Sequence, residues 1–90
     1  MIQGNDINVE FYGIPRQRAG RSDLTVKART VAEVLRAVET ACPDLTLLEI
    51  TGRIVPHVRI SVDGQRFISD PREELTPGAR VLILSADVGG

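Results

Sequence analysis

Few residues in this sequence can do chemistry, and their types restrict what that chemistry is. Cys42 is the single cysteine and His57 the single histidine, so neither an internal disulfide nor a thiolate or imidazole metal shell can be assembled. Cys42 falls on an apolar helical stripe, where a thiol is packed and inert. His57 falls on the outward side of a strand without a carboxylate to orient it, and no nucleophile and base can be paired around it. The Glu73-Glu74 pair sits in a turn, where carboxylates are solvated rather than catalytic. What remains is the end of the sequence, Ser85-Ala86-Asp87-Val88-Gly89-Gly90. A terminal carboxylate is a poor electrophile, but joined to AMP it becomes an acyl adenylate, and a sulfur donor that displaces AMP leaves a thiocarboxylate. Glycine has no Cβ, so such a tail can thread a narrow channel in whatever conformation the channel requires. Gly90 is therefore the candidate reactive group, with Gly89 giving access and Val88 and Asp87 setting the exit of the tail.

The elements that must hold this tail are legible from periodicity. Ile7, Val9 and Phe11 alternate with Asn8, Glu10 and Tyr12, which is a strand with one buried face. Gly13-Ile14-Pro15 breaks it, a basic stretch with Arg16, Arg18 and Arg21 follows, and alternation resumes at Leu24, Val26 and Ala28, so the two strands are expected to form a hairpin with a long loop. Thr30 and Glu33 have the spacing of a capping box, with the hydroxyl on a helix amide and the carboxylate returning to the cap's own amide. Val31, Val34, Leu35, Val38 and Cys42 then trace one apolar stripe, Glu33, Arg36 and Glu39 face away, and Pro43 ends the helix. Asp44 to Arg53 reads as an irregular loop closing one end of the core. Val58, Ile60 and Val62 alternate with His57, Arg59 and Ser61, and Asp63-Gly64 signals a hairpin returning through a short strand near Gln65 to Ile68. Asp70 to Leu75 and Pro77-Gly78 are turns, and Val81-Leu82-Ile83-Leu84 is apolar on both faces, as a central strand must be.

Composition excludes several functions. Ninety residues with 42% hydrophobic side chains make one domain rather than two. Eleven Lys+Arg against twelve Asp+Glu give a net charge of -1, too balanced for nucleic-acid binding by general electrostatics, and aromatic side chains at 3% leave no stacking platform for bases. No basic leader with an apolar core and no membrane-spanning run is present, so no membrane partner is expected and the expected location is cytoplasmic.

A one-sided helix over a sheet of alternating strands is a two-layer α+β arrangement. Bringing the strand after the helix back into the sheet gives a β-grasp, or ubiquitin-like, roll: a mixed four- to five-stranded sheet on one main helix. Residues 1–86 are assigned to this domain and 87–90 to a flexible tail. Val9 to Gly13, the stretch from Arg16 to Gly20, the helix start Thr30 to Leu35, Val62-Asp63-Gly64, Pro77-Gly78 and Gly89-Gly90, in that order over nearly the whole chain, resemble the ubiquitin-like sulfur-carrier family, and most of all the small subunit of molybdopterin synthase. The resemblance implies a protein cosubstrate rather than an enzyme. It binds no cofactor itself; a separate ubiquitin-activating-like enzyme uses ATP to adenylate Gly90, a sulfur donor converts it to a thiocarboxylate, and a synthase large subunit accepts the sulfur. The family's open sheet face and tail meet its partners, which maps here to Tyr12, Leu82 and Leu84 beside Asp87 to Gly90. Carriers for cysteine or thiamine biosynthesis, a protein modifier conjugated through Gly90, and a non-catalytic interaction domain share these signals.

Overall fold

The alternation of Ile7, Val9 and Phe11 places three apolar side chains on one side of strand β1 (Asp6–Phe11), and all three are fully buried. This strand belongs to a computed structural model that describes residues 5–86. Strand β2 (Asp23–Lys27) pairs antiparallel with β1, opposing Val26 to Ile7 and Leu24 to Val9.

Between them lies a helix rather than the expected long loop. Helix α1 (Gly13–Ala19) carries Arg16 and Arg18 on its exposed surface, ends at Gly20 and packs beside the last strand with Pro15 buried. Gly13 and Pro15 look like strand breakers, yet each suits this entry. Gly13 takes φ +64°, which few L side chains tolerate, and a Cβ there would lie 3.6 Å from that of Ser85. Pro15 sits in the first turn, where its missing amide has no helical acceptor to lose.

Helix α2 (Val31–Ala41) lays Val31, Val34, Leu35 and Val38, each fully buried, across the inner face of the sheet. Each such side chain contributes roughly 1.5–3 kcal/mol by leaving water. Its N-terminus is closed from three directions. The Glu33 amide donates to Thr30 Oγ1 at 3.2 Å, and the Val31 and Ala32 amides donate to the carbonyls of Glu73 and Pro71. The Glu33 carboxylate accepts from the amide of Arg29, one residue before the cap, instead of from Thr30 itself. Glu39 does not simply face away either: it is half-buried and its carboxylate accepts the amides of Leu47 and Leu48 at 2.7 and 2.9 Å. The segment from Asp44 to Arg53 is thereby pinned as the expected irregular loop, with Leu45 and Leu47 closing the core and a small bridge joining Leu48 to Ile54.

Strand β3 (Val58–Val62) turns through Asp63 and Gly64, both at positive φ, into the short β4 (Arg66–Ile68). Strand β5 (Arg80–Ser85) is the central strand its apolar sequence requires, parallel to β1 and antiparallel to β3. The resulting sheet has five strands in the order β2-β1-β5-β3-β4. The element order is β-α-β-α-β-β-β, which adds α1 to the order expected from the sequence. No helix among the described residues is long and apolar enough to cross a membrane.

Candidate functional site

The inner sheet face is covered by α2, so any surface the sheet offers to a partner is the outer one. Its composition follows from strand register. Leu82 on β5 stands between Glu10 of β1 and Ser61 of β3, and Ser61 in turn opposes Phe67 of β4. One step along, Arg59 opposes Leu84. The Tyr12 amide donates to the Ile83 carbonyl at 3.0 Å, which continues the parallel register and sets Tyr12 beside Leu84.

Tyr12, Leu82 and Leu84 therefore share one face, opposite in parity to the fully buried Phe11, Val81 and Ile83. Tyr12 is 42% exposed, and Leu82 and Leu84 are half-buried by their neighbours. Sequence periodicity missed Phe67, the most important addition. It is 61% exposed, and the Arg59 guanidinium lies over its ring at 5.5 Å, within range of a cation–π attraction. Phe67 is on a three-residue strand, too short for alternation to declare a face; only the hairpin at Asp63-Gly64 fixes its register. Ser61, expected to face outward, does so in parity but is buried between Leu82 and Phe67.

The face is graded along β5. At the far end Arg80 and Asn8 pair across β5 and β1, with Thr25 next to Asn8, and the Thr25 hydroxyl donates to Asn8 Oδ1 at 3.2 Å. Lys27 and Asp6 form an exposed ion pair beyond them. In the middle, Glu10 accepts the Tyr12 hydroxyl and lies 3.5 Å from Arg80 Nε. That hydrogen bond, reinforced by desolvation and by the Glu10 charge, pushes the Tyr12 phenol above its ordinary value. The apolar end, with Tyr12, Leu84, Leu82 and Phe67, is the one where β5 stops.

Two grooves flank that same end. One, of about 460 Å³, lies between α1 and the 45–46 loop and includes Ile14, Pro15, Leu45, His57 and Ser85. The other, of about 480 Å³, includes Pro56, Arg59, Phe67 and Ala86. His57 is exposed at the first, and its carbonyl accepts the Ala86 amide at 3.0 Å. Cys42 is buried on the α2 stripe, as its spacing requires. Among the described residues no group of three or more His, Cys, Asp or Glu could hold a metal ion. The expected site residues Asp87, Val88, Gly89 and Gly90 lie outside the described residues.

No protein-family model and no curated protein matches the sequence. Solved structures do. The small archaeal modifier protein 1 of Methanosarcina acetivorans superposes with a TM-score of 0.81 at 20% identity, covering 98% of this chain and 99% of that one. A chain of the Amycolatopsis orientalis BexX/CysO complex gives 0.76 at 22% identity, covering 93% and 99%. A putative molybdopterin converting factor subunit 1 from Pyrococcus furiosus gives 0.68 at 21% identity, covering 90% and 97%. The fold is the ubiquitin-like β-grasp. The β-grasp roll expected from the residues is thus the fold that these structures share. Within the β-grasp domain, the outer-face patch and the end of β5 are adjacent.

Proposed function

We propose that this β-grasp protein is a ubiquitin-like sulfur carrier and that Gly90 is its reactive residue. The observation that carries the reading is the apolar end of the outer sheet face, Tyr12, Leu82, Leu84 and Phe67, at the point where β5 ends. Only Ala86, Asp87 and Val88 separate β5 from Gly89-Gly90. A partner that seats on this patch has the tail within reach of its own active site. Positioning the reacting group in this way converts a bimolecular encounter into a local one.

The chemistry proceeds in two displacements on an activating enzyme. A Gly90 carboxylate oxygen attacks the α-phosphorus of ATP, pyrophosphate leaves, and the acyl adenylate forms. A hydrosulfide-class donor then attacks the acyl carbon, the C–O bond to AMP breaks, and the thiocarboxylate is released for delivery to a synthase large subunit. The carrier supplies no acid or base to either step; it supplies the docking surface and the tail. The acceptor proposed is the molybdopterin precursor, on the order of motifs in the sequence and on the neighbour named as a putative molybdopterin converting factor. The BexX/CysO neighbour supports the same carrier chemistry with a different partner enzyme.

A modifier reading is favoured by one specific observation, the 0.81 TM-score to a protein named as a small archaeal modifier. It uses the same Gly90 adenylate but ends in an isopeptide bond to a lysine. Intact-mass measurement of a chain ending at Gly90, incubated with its activating enzyme, ATP and a sulfide source, separates the readings. Replacement of one oxygen by sulfur, absent when Gly90 is deleted, supports the carrier. Higher-mass conjugates support the modifier, and an unchanged mass with an active enzyme removes both.

A further inference from the structure

The outer sheet face is not the only surface with a distinct character. Across the core, on the solvent side of α2, a groove of about 590 Å³ is bounded by the first half of α2, the turn at 51–54 and the turn at 69–72. Arg36, Arg53 and Arg72 all line it, against a single acid, Asp70. Asp70 is committed to Arg72: its carboxylate accepts the Arg72 amide at 2.9 Å and lies 3.3 Å from the Arg72 Nε. The guanidinium groups of Arg36 and Arg53 have no hydrogen-bond or ion-pair partner among the described residues. In a chain whose charges otherwise nearly cancel, this groove concentrates one sign.

The placement is built by the backbone. Gly52 takes φ +90°, which closes the tight turn in which its amide donates to the Glu49 carbonyl and the Glu49 amide to that of Arg53. The turn therefore delivers Arg53 to the groove and leaves Ile50 at its tip entirely in solvent. Arg36 comes from the exposed side of α2, one helical turn beyond Ala32, which also lines the groove. The amides of the first turn of α2 are already satisfied by Glu73, Pro71 and Thr30, so the positive character belongs to the arginine side chains.

We infer that this groove is a second interface, which binds an acidic segment of a partner protein. Guanidinium forks match carboxylates in geometry and desolvate readily, which makes them the usual receptors for such segments. All three arginines are exposed, the architecture of a surface that reads several charges along a chain, whereas a small anion is normally enclosed. The apolar lining at Ala32, Ile54 and Pro71 gives apolar side chains of the segment something to pack against. The groove meets the one beside Arg59 and Phe67 at Ile54 and Ser69, so it borders the outer-face patch, with its three arginines on the α2 side of that shared wall. The inference does not depend on the chemistry proposed for Gly90.

The test is amide chemical-shift titration of the full chain with a short capped peptide alternating glutamate and leucine. Saturable shifts centred on Ala32, Gly52 and Ser69 are expected, weakened several-fold when salt rises from about 50 to about 300 mM. The double variant Arg36→Glu/Arg53→Glu is expected to bind at least about tenfold more weakly, with Arg36→Gln/Arg53→Gln as the milder version should charge reversal disturb the fold. Leu84→Asp, on the other face, leaves the peptide affinity unchanged. Absent or unsaturable shifts, shifts centred elsewhere, or affinity indifferent to the arginine substitutions overturn the inference. Inorganic phosphate alone producing the same shifts with equal affinity also overturns it, in favour of a small-anion site.

Discussion

The Tyr12 hydroxyl donates to Glu10 Oε1 at 2.5 Å, joining two residues on the same side of the chain where β1 passes into α1. The bond fixes the orientation of an aromatic ring at the margin of the outer-face patch, and it is directly measurable. Tyr12 is the single tyrosine and the chain has no tryptophan, so the ultraviolet phenolate signal reports this residue alone. The carboxylate raises the phenol above its ordinary value of about 10. The phenol thus holds its proton more tightly in the folded state. The associated stabilisation is fully present below the unfolded value and is lost as pH rises through the folded one. The Tyr12 titration midpoint is expected above that of a free tyrosine, and Glu10→Gln is expected to move it down. A midpoint unaffected by Glu10→Gln would show that the hydrogen bond is not formed in solution.

Phe67 and Leu84 carry the next prediction. Both lie on the outer face, Phe67 largely exposed and Leu84 half-buried. Interface energy concentrates in a few buried aromatic and apolar anchors, often worth about 2 kcal/mol or more each. If the proposed activating enzyme docks on this face, Phe67→Ser and Leu84→Asp are each expected to weaken its binding by at least about tenfold. Phe67→Ser, which removes no core contact, should leave thermal stability nearly unchanged. Calorimetric titration together with thermal unfolding separates docking from folding, and undiminished affinity in both variants would dismiss this face as the docking site.

The strands and α2 were legible because burial leaves a period in the sequence. Ile7, Val9 and Phe11 repeat every second residue and the α2 stripe every three to four, and both sets are buried as written. α1 was hidden because Gly13 and Pro15 are local breakers by composition, while their places at a positive-φ entry and a first helical turn depend on packing against β5. The site was half legible for the same reason. Parity along β1 and β5 was enough to put Tyr12, Leu82 and Leu84 on one face. Phe67 joined them only through two cross-strand registers, from β4 to β3 and from β3 to β5. The arginine groove draws its residues from α2 and two separate turns, and no linear pattern connects them.

Glu39 supports a stability prediction. Its carboxylate takes the amides of Leu47 and Leu48, and Leu47 is fully buried. Truncation leaves two backbone donors without a partner beside the core. Hydrogen bonds to a charged group contribute about 1.5–3 kcal/mol. Glu39→Ala is expected to destabilise the domain by about 2 kcal/mol, or roughly 8–16 °C in Tm for a chain of this size. Hydrogen exchange should show the Leu47 and Leu48 amides losing protection before those of β5. A variant as stable as the parent would mean that water replaces the carboxylate without cost.

Asp70 provides a pH prediction with the opposite sign to Tyr12. The Arg72 amide and then its guanidinium hold the Asp70 carboxyl below its usual range. A carboxylate depressed in the folded state contributes stability above its unfolded value of about 4 and loses it as pH falls through the folded one. Asp70→Asn abolishes that ionisation. The stability difference between parent and variant is therefore expected to be greatest near neutral pH, to shrink below about pH 4 and to vanish once Asp70 is protonated in both states. The pair is exposed, so salt should narrow the difference as well. Denaturant unfolding across this pH range measures it, and a difference constant with pH would show that the Asp70 carboxylate is not depressed by Arg72.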